Sequence, residues 1–142
     1  MSDQDWDPAA EHEAPADSVG PGIEPADAKP QYPTLEAWMD GWFVRTVRRR
    51  TGRAGVVWCA QWWEHAEARS RLSALWGAWE QAQIDLGSAP SGWWIWHFDA
   101  HWGQLTSPAG PFTACGADRH EPDPDPLPSA PRLVEVAGTD AG

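Results

Sequence analysis

The chain has two cysteines, one tyrosine and a single lysine, Lys29, so arginine carries nearly all of its positive charge. Cys59 and Cys115 alone do not make a disulfide framework, and a reducing compartment disfavours even a lone bridge. No stretch approaches the ~20 consecutive apolar residues of a membrane-spanning helix. The N-terminus is acidic and lacks the positive region and apolar run of a secretory leader. The expected location is therefore cytoplasmic, with no membrane partner. Phosphate-binding glycine loops and nucleophile elbows are missing too. His65-Ala66-Glu67 matches the His-x-Glu fragment of zinc deaminases, but the Pro-Cys-x-x-Cys that those enzymes need downstream is absent. With no complete catalytic constellation, the chain reads as a non-enzymatic binding module.

What is present is unevenly distributed. The formal net charge of −11 comes entirely from the two ends. Residues 1–30 carry Asp3, Asp5, Asp7, Glu11, Glu13, Asp17, Glu24 and Asp27 against Lys29, and residues 118–142 carry six acids against Arg119 and Arg132. Between them acids and arginines balance. Proline follows the same partition, and Trp6 is the only one of twelve tryptophans outside the middle. Low hydrophobicity with high net charge predicts disorder. The expected organisation is a disordered acidic tail over 1–33, a tryptophan-rich helical domain over 34–117 and a second disordered acidic tail over 118–142.

The domain is organised around Trp58 to Glu80, a short loop leading into one amphipathic helix that ends near Asp85, where Gly87, Ser88, Pro90 and Gly92 break it. At 100° per residue, Ala68, Leu72, Leu75, Trp76, Trp79 and His65 fall on one arc, so His65 should point inward. Glu67 and Arg71 form an i,i+4 pair on the solvated face. Upstream, Thr34 is a plausible N-cap for a helix running to about Arg49, with Leu35, Trp38, Met39, Trp42, Phe43 and Thr46 on one face. Downstream, Trp93 to Leu105 reads as a third helix with Trp94, Ile95, Phe98, Trp102 and Leu105 on one face. A β-prone reading of Trp93 to Phe98, with Asp99 capping a separate short helix, is the alternative. The fold class is all-α, with three helices in a small domain.

Two features bear on binding. Arg45, Arg48, Arg49, Arg50 and Arg53 cluster at the end of the first helix. They either complement its dipole or contact phosphate. A domain of this size does not cover eleven tryptophans completely, so some, with Trp63 and Trp96 as candidates, should sit at the rim or form an exposed patch. The partner would be a protein or a nucleic acid, the latter through the arginines and stacking tryptophans. Helix-turn-helix spacing is absent.

Setting aside His12 and His120 as tail residues, the soft ligands are Cys59, His65, His97, His101 and Cys115. Four of these five could supply a four-coordinate zinc site, structural or catalytic, in which a His-x-x-x-His pair would share one helix face. Without metal, the cysteines would be buried small hydrophobes and His65 a hydrogen-bonded core residue. The cofactor expectation is accordingly none, or one zinc ion.

Trp58-Cys59-x-x-Trp62-Trp63-x-His65-x-Glu67-Ala68, Arg71-Leu72-x-x-Leu75-Trp76-x-x-Trp79-Glu80, Trp93-Trp94, His97-x-Asp99-x-His101 and Gly110-Pro111-Phe112 with Cys115 together resemble the uncharacterised family called domain of unknown function 4913. The match covers about residues 35–115. It implies an actinobacterial setting of plasmids, integrated mobile genetic elements and phages, and no assigned activity. Ala60 and Ala100 stand where the family pattern often has proline.

Overall fold

A computed structural model describes residues 29–133, so the outer parts of both expected tails lie outside the described residues. Three helices build the domain, and no strand forms among the described residues. Helix α1 runs without a break through Leu35–Trp38, Met39–Phe43 and Val44–Thr46. Thr34 caps it with an extended backbone, its Oγ1 accepting the Ala37 N–H at 3.1 Å, which satisfies one of the orphan donors of a first turn. A single 3₁₀ turn, Trp62–Glu64, leads into α2, Ala66–Asp85. Two left-handed residues, Leu86 and Gly87, then reverse the chain into α3, which comprises Ala89–Gly92, Trp93–Phe98 and Asp99–Leu105.

Helix α2 buries Ala68, Leu72, Leu75, Trp79 and Ala82 along one stripe. Against it pack Leu35, Trp38, Met39 and Phe43 of α1 and Trp93, Phe98 and Leu105 of α3. Aromatic side chains dominate this contact. Trp38 meets Trp79 and Trp93, and Trp42 meets Trp79, Trp93 and Trp94, with centroids 5.0–6.3 Å apart, the range in which tilted and edge-on pairs attract. Trp93 is also held by its indole N–H, which donates to the Leu75 carbonyl at 2.9 Å. The Trp38 indole N–H is, among the described residues, the one buried side-chain polar atom without a partner.

Both outer helices contain a stretch wound one residue wider than an α-helix. The Val44 N–H bonds the Met39 carbonyl five residues back, and the Asp99 N–H bonds that of Trp94. An inserted residue of this kind rotates everything on one side of it relative to the other. In α3 the consequence is that Trp93, not Ile95, joins Phe98 inside, while Ile95 is exposed. In α1 it is Val47, not Thr46, that is buried at the C-terminal end. Helix α1 also stops at Thr46 rather than near Arg49, because Val47 is extended at ψ 94°. Asp99 lies within the continuous α3 and does not begin a separate helix.

Most of the indole surface is covered. Trp38, Trp62, Trp79 and Trp93 are buried, Trp42, Trp58, Trp76, Trp94 and Trp102 are half-buried, and Trp63 and Trp96 are exposed at 47% and 75%. No helix among the described residues is long and apolar enough to cross a membrane. Because Trp93 contributes a hydrogen bond and Trp38 contributes none, Trp93→Phe should destabilise the domain by about 1 kcal/mol more than Trp38→Phe. Urea denaturation of the two variants measures the difference, and equal losses would mean that the Trp93–Leu75 bond adds nothing net.

Candidate metal centre

Three connections outside the helices converge on one end of the core. The first is the loop entering the 3₁₀ turn, tied down where the Val57 N–H donates to the Thr106 carbonyl at the end of α3, at 2.8 Å. Two residues further on, Cys59 is buried. The second is the junction of the 3₁₀ turn with α2, where His65 takes an extended backbone and ends up 1% exposed. The inward orientation expected from the helical arc is what the structure has, although His65 precedes the first helical turn instead of lying within it.

The third is the segment after α3. Turns over 107–115 place Phe112 fully inside, edge-on to Trp58 at 5.1 Å and to His65 at 5.2 Å. Gly110 makes this possible, since a Cβ there would run into the Gln104 carbonyl oxygen. Cys115 follows, then a tight reversal closed by paired Gly116 and Arg119 backbone bonds, which returns His120 beside Cys115. The chain therefore continues to pack past Ala117, where the tail was expected to begin. His120, Glu121 and Asp123 all contact the domain.

Cys59, His65, Cys115 and His120 come together, each offering one ligand atom, with all four atoms within 4.8 Å of one another. Cys59 Sγ lies 3.3 Å from His120 Nδ1, and Cys115 Sγ lies 3.4 Å from His65 Nε2. Around a tetrahedral ion with metal–ligand distances of about 2.0–2.3 Å, neighbouring donors sit roughly 3.3–3.8 Å apart. The donor set fits: two thiols and two imidazoles are the chemistry of closed structural zinc sites.

The atoms behind these donors are arranged to match. His65 Nδ1 faces Asp123 Oδ1 at 2.7 Å, and Asp123 Oδ2 accepts the Ala66 N–H at 2.9 Å. That contact fixes the imidazole with Nδ1 protonated and leaves Nε2 free to point at Cys115, the arrangement that outer carboxylates impose on ligating histidines. The Ala66 N–H, and after it His65, hold the Asp123 carboxyl below the usual carboxylate range. The Glu121 N–H points at Cys115 Sγ at 3.5 Å. Burial pushes the Cys59 thiol up to about 11, with the Cys115 thiol adding to the shift and the Gln61 backbone N–H opposing it. A thiol so poorly ionised on its own is a poor nucleophile.

Of the five ligand candidates read from the sequence, the structure brings together Cys59, His65 and Cys115. It places His97 and His101 elsewhere. His97 is exposed in a groove between the C-terminal end of α2 and the start of α3, beside Trp96 and Asp85. His101 accepts from Arg71 at 3.0 Å, and burial, then the Arg71 charge and His97, lower its pKa. The physical reason is that α3 turns these residues toward the flank of α2, where His101 meets Arg71 and His97 shares a groove with Asp85, while Cys115 and His120 lie on the chain that follows α3. His120 was missed because composition put it in a tail. The spacing holds a cue: Cys59-x₅-His65 and Cys115-x₄-His120 are two similar Cys-to-His units.

The clustered arginines are exposed, and three of them, Arg45, Arg48 and Arg49, bond nearby backbone carbonyls. Arg45 Nε donates to the Asp40 carbonyl and Arg48 Nε to that of Arg45, each at 2.9 Å. Arg49 stands over the Phe98 ring at 5.8 Å.

Ending the chain at Ala117 would leave the His65 Nδ1–H buried without its acceptor, at a cost of about 1–3 kcal/mol. Thermal melting should therefore rank such a chain clearly below one ending at Leu133. Identical melts would show that residues 118–133 contribute nothing to stability.

No curated protein and no solved structure matches the chain. A family model described as a domain of unknown function does match, over residues 32–132. That span takes in all three helices, both cysteines, His65, His120 and Asp123. The chain belongs to the family called domain of unknown function 4913.

Proposed function

We propose that this is a non-enzymatic binding module whose fold is braced by one zinc ion held by Cys59, His65, Cys115 and His120. The observation that carries the reading is the convergence of four donors from three separate connections, backed by Asp123 on His65. Four protein ligands leave no open position for substrate, so the role is structural. Bound there, the ion would cross-link the chain before α2, the start of α2 and the segment after α3. Those are the parts with the least regular hydrogen bonding, so the brace acts where the helices do not. Free thiols as ligands suit a reducing, cytoplasmic compartment. The surface left for partners includes the exposed Trp63 and Trp96 and the arginines from Arg45 to Arg53.

Tagless protein purified without chelator should contain close to one zinc per chain by elemental analysis, and a strong chelator should lower its melting temperature. His120→Ala should abolish the bound zinc, whereas His97→Ala and His101→Ala should retain it. Loss of zinc from either of the latter while His120→Ala keeps it would refute the assignment. Asp123→Asn, which keeps the shape but weakens the acceptor, should reduce zinc affinity about 10–100-fold in a competition titration.

A further inference from the structure

Between the C-terminal end of α1 and the loop carrying Trp58 lies a cleft of about 190 Å³, lined by Phe43, Val44, Val47, Arg49, Trp58 and Trp102. It is smaller than the roughly 300–1,000 Å³ of pockets that enclose drug-sized ligands. One bulky side chain is a better match. The walls are mostly apolar: Phe43 and Val47 are buried, and half-buried Trp58 and Trp102 stack with their centroids 5.7 Å apart. Val44, at 45% exposure, forms part of the open rim.

One cation borders this socket directly, and four more lie close to it in sequence. Arg49 lines it, and Arg45, Arg48, Arg50 and Arg53 are exposed on the same stretch of chain. None of the five pairs with a carboxylate among the described residues, although Arg69, Arg71 and Arg119 do. An apolar socket within a field of arginines selects an acidic peptide carrying one large aromatic side chain, because guanidinium groups pair with carboxylates while the ring fills the socket.

The chain itself contains such a segment. Asp3-Gln4-Asp5-Trp6-Asp7 sets the one tryptophan that lies outside the described residues among three carboxylates. We propose that this segment docks on the cleft, with the Trp6 indole in the socket beside Trp58 and Trp102, and Asp3, Asp5 and Asp7 against the arginines. The reach is sufficient. The chain enters the domain at Gln31 and Tyr32, whose N–H groups are held by the Glu80 carboxylate at 2.8 and 3.0 Å. From there the cleft lies about the length of α1 away, roughly 18 Å, and the residues from Asp7 to Lys29 extend to roughly 70 Å. Because the segment belongs to the same chain, its docking is intramolecular and its effective concentration at the cleft is raised by the tether. A nucleic acid is disfavoured as the occupant, since the chain's net charge is −11 and the same eight N-terminal acids would oppose it.

This inference deepens the binding-module part of the proposed function and does not depend on the zinc ion. The test uses the full chain labelled with 5-fluorotryptophan and followed by fluorine NMR, with resonances assigned through single Trp→Phe variants. Trp6→Ala lies far from the core in sequence and should shift the Trp58 and Trp102 resonances while leaving those of Trp63 and Trp96 in place. Replacing Asp3, Asp5 and Asp7 with Asn together should move the same resonances in the same direction, as should raising the salt to about 1 M, where charges are screened beyond about 3 Å. Unmoved Trp58 and Trp102 resonances would overturn the proposal. So would shifts that vanish on dilution, which would assign the contact to a second copy. A single-stranded oligonucleotide that perturbs these resonances equally with and without Trp6 would overturn it as well, because the segment would then not be occupying the cleft. Metal analysis of the same samples separates the two readings: zinc-free protein that still shows the shifts would remove the brace and retain the docking.

Discussion

The imidazole of His65 holds together parts of the chain that the helices alone do not. It is buried at the point where the irregular N-terminal loop becomes α2, with one nitrogen facing Asp123 and the other facing Cys115. Both partners come from the segment after α3, more than forty residues away in sequence. A buried imidazole needs both nitrogens satisfied. Meeting that requirement draws the C-terminal segment onto the domain and, with it, brings His120 against Cys59.

The helical core makes this placement possible by being stiff and aromatic. Tilted indole contacts lock α1 onto Trp79 of α2 and edge-on ones join α1 to α3, and the wider turn in α3 sets which of its residues face inward. Trp93 and Phe98 enter the core, and the remainder of α3 runs to Leu105 and Thr106 at the end where Val57 is bonded. From there Gly110 allows the close turn that inserts Phe112 between Trp58 and His65. An ion at the four donors would close a structure already shaped for it by hydrogen bonds to both histidine and cysteine. The neighbouring surface, where Arg49 and Trp58 line a small apolar cleft, is left for recognition.

The sequence made the three helices legible because each has a periodic apolar face and recognisable ends, Thr34 at the start of α1 and Gly87 after α2. Inward burial of His65 could be read from its angle. The exchange of Ile95 for Trp93 could not, since the wider turns that cause it have no local sequence mark and arise from how the indoles pack. Three members of the donor cluster, Cys59, His65 and Cys115, were recognisable as soft ligands. His120 and Asp123 were hidden by the acidic, proline-rich composition around them, which resembles that of a chain with nothing to pack against. A few specific contacts, not average hydrophobicity, keep this segment on the domain.

The central claim is that two thiolates and two imidazoles share one ion. X-ray absorption at the zinc edge on the purified full chain tests it most directly, because scattering by sulfur and by nitrogen differs in distance and phase. Two sulfur neighbours at about 2.3 Å and two nitrogen neighbours at about 2.0 Å are expected, with the outer-ring scattering of two imidazoles. A spectrum with only oxygen and nitrogen neighbours would contradict it and place any bound zinc elsewhere, as would one with a single sulfur.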